Sequence, residues 1–207
     1  MTSASESSAA ASDTTLALIA GGRGSRLGGV AKGLLRWRGR TLLEHQLQLA
    51  PGFARVLLVT GDPAPYARWG LETVADVIPG RGAPGGVHAA LAHARTPWVL
   101  ALGCDMPFVT RAALAPLLAA RAEGGMAVLY RVGGRLEPLL ALYRAALAPR
   151  WGPLLSGERG PSFTQLLAAE PVTVLEEAAL RAVDPELASV RSVNTPEDLD
   201  SLGVQRP

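Results

Sequence analysis

Apolar residues in this chain fall into short unbroken runs, separated by segments that carry helix signals. Leu16-Ala17-Leu18-Ile19, Val56-Leu57-Leu58-Val59-Thr60 and Trp98-Val99-Leu100-Ala101-Leu102 show no polar alternation. That is the pattern of strands covered on both faces. Thr41-x-x-Glu44 is a capping box opening a helix to about Ala50, and Pro51-Gly52 stops it. Tyr66–Trp69 reads as a short helix and Thr73–Ile78 as a weak edge strand. A Gly/Pro-rich loop over 79–86 opens a helix over Val87–Ala94. Thr110 caps a helix to about Ala122, Leu147–Leu155 reads as helix, and Ser162-x-x-Gln165 caps Phe163–Ala169. Met126–Val132, Gly133-Gly134 and Leu136–Tyr143 read as strand, turn and antiparallel partner. Val172–Leu175 and Val190–Val193 read as late strands. Thr195-Pro196-Glu197-Asp198 supplies a cap, a proline and first-turn acids for a C-terminal helix. The alternation has short loops, no repeat period and no linker. It predicts one α/β domain of three layers with a mainly parallel, mixed sheet.

In such sheets ligands bind beyond the carboxyl ends of the strands. The loops at 21–32, 80–86 and 104–107 all follow strands, so they should converge on one crevice. The first, in LALIAGGRGSRLGGVAKG over 16–33, holds five glycines (21, 22, 24, 28 and 29) ahead of Lys32. Glycine lets the backbone take positive φ and turn N–H groups inward as an anion nest. Arg23, Arg26 and Lys32 add formal charge beside it, which predicts a chain of two or three phosphates. The spacing is not G-x-x-x-x-G-K-S/T, because Gly33 follows Lys32. It is not G-x-G-x-x-G, because Leu27 stands at the third glycine. Asp105, just past a buried strand in Cys104-Asp105-Met106-Pro107, is the best carboxylate for Mg²⁺. That ion takes one or two carboxylates and completes its shell with phosphates and water. Asp62-Pro63 is a turn signal and a weaker candidate. Cys104 reads as a small buried residue, since no neighbouring base would activate it. Gly82-x-x-x-Gly86 has little side-chain chemistry and suits base recognition by backbone groups. His45 is isolated, and His88 and His93 are five apart, so no histidine pair shares a helical face for metal.

Composition narrows the classes further. At 207 residues, 48% hydrophobic and 18% charged, the chain builds a proper core. The net charge is only +2 with no basic block, which argues against a nucleic-acid partner. One cysteine excludes an internal disulfide framework and fits a reducing compartment. No apolar run approaches the ~18 residues of a membrane span. Residues 1–13 are Ser/Ala-rich without a basic or apolar leader region, so a disordered tail is expected before a single domain over 14–207. The expected location is the cytoplasm.

Six stretches together carry a resemblance that covers about Thr15 to Val204. They are Ala20-Gly21-Gly22-x-x-x-Arg26-Leu27-Gly28-Gly29-x-x-Lys32-Gly33, Gly82–Gly86, Cys104-Asp105-Met106-Pro107, Leu136-Glu137-Pro138-Leu139, Gly157-Glu158-Arg159 and Val193-Asn194-Thr195-Pro196-Glu197-Asp198-Leu199. The chain resembles the molybdenum cofactor guanylyltransferases of MobA type, within the nucleotidyltransferases of Rossmann-like fold. The resemblance implies GMP transfer from Mg²⁺·GTP to molybdopterin carrying molybdenum. The products would be the guanine dinucleotide cofactor and pyrophosphate, with cofactor-insertion proteins and molybdoenzymes as further partners. It implies that Ala20, Gly21, Gly22 and Gly29 line the nucleotide, and that Arg26 and Lys32 supply cationic charge. Gly82 and Gly86 would border the guanine, Asp105 would hold Mg²⁺, and Glu137 and Asn194 would lie on the pterin side. Two positions depart from the family pattern: Ala31 stands where an Asp usually precedes the lysine, and Ser192 where an Asn is frequent. The sister cytidylyltransferases tend to carry Ala-Ala-Gly where this chain has Ala20-Gly21-Gly22. Sugar-phosphate nucleotidyltransferases are usually longer. A non-catalytic GTP-binding adaptor is the reading from another class, and retained Lys32 and Asp105 argue against it.

Overall fold

The apolar runs pair side by side as their pattern predicts. The structure is a computed structural model and describes residues 11–21 and 29–207; Gly22 and Arg26 lie outside the described residues. The large sheet contains β1 (Thr14–Ile19), β4 (Arg55–Val59), β5 (Glu72–Val74), β6 (Trp98–Gly103), β7 (Ala127–Val132), β8 (Arg135–Arg144) and β9 (Val172–Glu176). Their order is β5-β4-β1-β6-β8-β7-β9. β1 sits at the centre, parallel to β4 and β6, and every residue of it is buried. β8 is antiparallel to both β6 and β7, while β9 is parallel to β7. A second, three-stranded sheet joins β2 (Arg36–Trp37), β3 (Arg40–Thr41) and β10 (Val204–Gln205) in the order β10-β2-β3.

Helices cover both faces, as a mainly parallel sheet requires. One face packs against Leu43 of α1 (Leu42–Leu47), Leu114 and Leu117 of α3 (Arg111–Ala119) and Leu180 of α6 (Glu177–Arg181). The other packs against Val87 and Leu91 of α2 (Gly82–His93), Trp151 of α4 (Ala148–Leu155) and Leu166 of α5 (Phe163–Ala168). A small third core under the minor sheet gathers Leu35, Leu42, Val193, Val204 and Leu199 of α7 (Pro196–Leu202). The capping boxes at Thr41, Ser162 and Thr195 all form. Each satisfies helix N–H groups that would otherwise lack partners.

Four expectations change. The stretch Gly82–Gly86 is the first turn of α2, not a loop before it. Val190–Val193 is not a strand: Ala188–Val190 is a 3-10 turn, and the Val193 N–H bonds the Asp105 carbonyl at 2.8 Å, past the end of β6. Residues 11–13, expected to belong to a tail, pack with the domain: Ala11 is buried and Asp13 ion-pairs with Arg121. The short pieces β10 and α6 carry no strong local signal and were not expected.

Extension of the strand ladder builds the crevice floor. Ala20 N–H bonds the Val59 carbonyl at 2.8 Å, and Cys104 N–H bonds that of Ile19 at 3.0 Å. The turn after β6 is then held from below by Gln46 of α1, which is 1% exposed. Its Nε2 donates to the carbonyls of Gly103 at 2.5 Å and Met106 at 3.4 Å. Removing the amide leaves the Gly103 carbonyl with the Met106 N–H alone, at 3.1 Å, and takes the Gln46 donor from the Met106 carbonyl. Gln46→Ala should therefore lower unfolding free energy by about 2 kcal/mol in a urea titration. A change below ~0.5 kcal/mol, the range of ordinary surface substitutions, would mean the amide does not hold this turn.

Candidate active site

The centre of the crevice is a pair of opposite charges. Lys32 opens a 3-10 turn over Lys32–Leu34, and Gly33 lies against the Tyr66 ring, where an added Cβ would be 3.0 Å from Cε1. That close approach fixes the turn and aims the lysine inward. Asp105 follows β6, with its Oδ1 2.8 Å from where a Cβ on Gly103 would sit. Gly103 thus leaves the room that the carboxylate uses. Lys32 Nζ donates to Asp105 Oδ2 at 2.8 Å and to Asn194 Oδ1 at 2.5 Å. The Lys32 and Asp105 side chains are 24% and 18% exposed. Desolvating such a pair costs about as much as its attraction returns. The pair is therefore poorly explained as a stabiliser and well explained as a site.

Other expected residues fall around it. Ala20, Gly21, Lys32 and Asp105 line one narrow cleft with Cys104 and Leu139. A larger cavity of about 470 Å³ adjoins it, lined by Gly21, Gly29, Ala31, Thr60, Asp62 and Tyr66 among others. Gly29 has φ +81°, so it does need glycine's conformational freedom. Ala31 caps the Lys32 turn through its backbone alone. Asp62 accepts from Ala64 N–H at 3.1 Å and so behaves as a turn residue at the cavity rim. Gly86 has a packing reason of its own, since a Cβ there would come 3.1 Å from Ile19 Cγ2. Gly82 takes φ +57° with open space around it. Glu137 lies on β8, two residues from the cleft-lining Leu139, and burial pushes its carboxyl up. Asn194 is in contact with Lys32 itself. Cys104 is fully buried, which raises its thiol pKa well above the ordinary range and leaves it inert. His88 is buried and bonded to the Ala148 carbonyl, and burial holds its pKa down. His45 bonds the Trp37 carbonyl.

Two residues went unnoticed in the sequence. Thr60 and Asp76 each follow a strand at the crevice edge, β4 and β5 respectively. Asp76 Oδ2 lies 3.6 Å from a Cβ position on Gly85, and its Oδ1 3.7 Å from one on Gly86. The carboxylate therefore sits against the first turn of α2. Half-burial pushes its carboxyl pKa up from the ordinary value. An acid just past a strand was the available signal, the same one that marked Asp105. Here the strand was expected over Thr73–Ile78, which put Asp76 inside it, whereas it ends at Val74.

A mixed, mainly parallel sheet, with a Lys–Asp pair and a glycine-lined cavity beyond its strand ends, defines a nucleotidyltransferase of Rossmann-like type. The chain matches the MobA-like NTP transferase domain over residues 16–174 and belongs to that family. It is 38% identical over 194 residues to the molybdenum cofactor guanylyltransferase of Pseudomonas aeruginosa, covering 88% of this chain and 91% of that one. It is 36% identical over 190 residues to the probable molybdenum cofactor guanylyltransferase of Chloroflexus aggregans, covering 88% and 89%. The molybdopterin-guanine dinucleotide biosynthesis protein A of Archaeoglobus fulgidus superposes with a TM-score of 0.79 at 28% identity, covering 91% of this chain and 96% of that one. No helix among the described residues is long and apolar enough to cross a membrane.

Asp76 makes a test of site against stability. Its raised pKa means the folded chain binds a proton more readily than the unfolded chain does. Stability is therefore lost as pH rises from the ordinary Asp value through the raised one. Asp76→Asn removes that loss. Thermal unfolding should show the variant more stable than wild type at pH 7, with the gain shrinking towards zero below about pH 4. A variant less stable at pH 7 would mean that Asp76 is a structural ligand rather than a strained site residue.

Proposed function

We propose that this chain transfers GMP from GTP to the terminal phosphate of molybdopterin carrying molybdenum, releasing pyrophosphate. The observation that carries the reading is the Lys32–Asp105 pair beyond the carboxyl ends of β1 and β6, beside the cavity lined by Gly21, Gly29 and Gly61. In this reaction an acceptor phosphate oxygen attacks the α-phosphorus of GTP. One P–O bond forms, the bond to the β-phosphate breaks, and pyrophosphate carries away the electron pair. Such a displacement needs alignment and charge neutralisation more than covalent help. Lys32 supplies a compact cation with three donors for the phosphates.

Mg²⁺ fits the donor set. Asp105 turns a carboxylate oxygen into the cleft and already holds a cation there. Among the described residues no cluster of three or more acidic, His or Cys side chains forms a protein cage. One carboxylate with the rest of the shell from phosphates and water is the usual arrangement for this ion. Asp105 would hold it, and the ion would neutralise charge on the triphosphate.

Base choice has a physical source in Asp76. A carboxylate at the first turn of α2 can accept from the N1–H and N2–H of guanine. Cytosine presents acceptors on its corresponding edge, which would face the carboxylate unpaired and be rejected. A GTP-consuming reaction and a single buried thiol fit the cytoplasm.

Titration of wild type with GTP and CTP in Mg²⁺ should show at least about tenfold tighter GTP binding, or ~1.4 kcal/mol. Asp76→Asn should erase most of that ratio. Lys32→Ala and Asp105→Ala should each lose most GMP transfer while unfolding at temperatures near wild type. Equal binding of CTP by wild type would overturn the guanine assignment, and near-normal turnover of Asp105→Ala would place the metal elsewhere.

A further inference from the structure

Lys32 is the only lysine in the chain; the other 19 of its 20 Lys and Arg residues are arginine. Two of its three N–H donors are committed, one to Asp105 Oδ2 and one to Asn194 Oδ1. The orientation of the Asn194 amide follows, because a group with donors alone can face only the amide oxygen. Asn194 Nδ2 is thereby turned to Ser192 Oγ, to which it donates at 2.6 Å. The backbone beneath is anchored separately. The N–H groups of Asn194 and Thr195 both donate to Asp198 Oδ2 at 2.8 Å. Those bonds hold the Asp198 carboxyl below its ordinary pKa. Ser192, Asn194, Lys32 and Asp105 thus form one chain of contacts spanning segments far apart in sequence.

We infer that Asn194, oriented by Ser192, is a positioning residue for Lys32: it parks the ammonium against Asp105 until nucleotide binds, and must give it up to the phosphates. The inference rests on the nucleotide reading of this site. The third donor can meet one phosphate oxygen, and a second phosphate contact requires one of the two partners to be released. The hydrogen bond to the carboxylate is the stronger of the two, so the neutral amide is the partner released. The amide bond therefore competes with nucleotide binding. Its removal should raise affinity, whereas loss of an ordinary ligand or structural residue lowers it.

The test is a Mg²⁺·GTP titration of wild type, Asn194→Ala, Ser192→Ala and Asn194→Asp, with thermal unfolding of each. The α7 cap survives the alanine change, because its bonds come from Thr195 and from backbone N–H groups. Asn194→Ala should bind GTP about fivefold more tightly, equivalent to ~1 kcal/mol for one lost competing hydrogen bond. Ser192→Ala should tighten it less, since the amide remains but is free to turn. Asn194→Asp should weaken it, since a carboxylate grips the ammonium harder. Unchanged or weaker GTP binding by Asn194→Ala and Ser192→Ala overturns the inference. A second readout needs no nucleotide. Lysine-selective ¹⁵N labelling gives one side-chain ammonium signal, from Lys32. Its hydrogens should exchange slowly in wild type and several-fold faster in both alanine variants; equal exchange in all three also overturns it. A wild type that binds no GTP defeats the nucleotide reading instead, and the lysine signal then decides the positioning alone.

Discussion

The site depends on two opposite charges held 2.8 Å apart where solvent still reaches them. Neither charge could be kept there by its own segment. The lysine rides on a 3-10 turn whose glycine is pressed against Tyr66, and the aspartate on a turn that Gln46 holds by its carbonyls. The Val193 N–H closes the same turn from the third side. Burial alone would neutralise or expel such a pair. Partial exposure lowers that cost, and the backbone hydrogen bonds hold the turn that carries the aspartate. A pair of this kind keeps a cation at hand for a polyanion.

The surrounding fold makes that exchange local. Every residue of β1 is buried, and the strand is locked between β4 and β6, so the floor of the cleft does not need to move. The C-terminal segment is less embedded: it reaches the site through Val193 and Asn194 and is anchored by Asp198. The groups proposed for the base and for the phosphates lie on different elements. Asp76 lies against the first turn of α2, and Lys32 and Asp105 lie across the cleft beyond β1 and β6. Each side can be altered without dismantling the other.

Much of this was legible in the sequence, and the reasons differ by element. Unbroken apolar runs such as Leu16–Ile19 and Trp98–Leu102 announced a parallel sheet buried on both faces. The boxes at Thr41, Ser162 and Thr195 announced helix starts, because capping is local chemistry. Lys32 and Asp105 could be placed in one crevice in advance because the loops that carry them follow central strands; their direct contact was not read. Val190–Val193 misled, because β-branched residues suit a strand, whereas here the segment leaves a 3-10 turn and its Val193 N–H bonds the Asp105 carbonyl past the end of β6. The helical nature of Gly82–Gly86 was hidden by glycines and a proline, whose local preference the packing against Ile19 overrides. The contact of Asn194 with Lys32 could not be read at all, since 162 residues separate them and neither flanking pattern names the other.

The central claim is that the α-phosphoryl group of GTP moves to the acceptor at this pair. The most direct measurement follows two labels through one reaction with Mg²⁺ and molybdopterin. GTP labelled at the α-phosphorus should pass its label to the acceptor product one for one. GTP labelled at the γ-phosphorus should release all of its label as pyrophosphate, in equal amount and only when acceptor is present. Retention of the α label in free nucleotide, or its transfer with equal ease from CTP, would contradict the account.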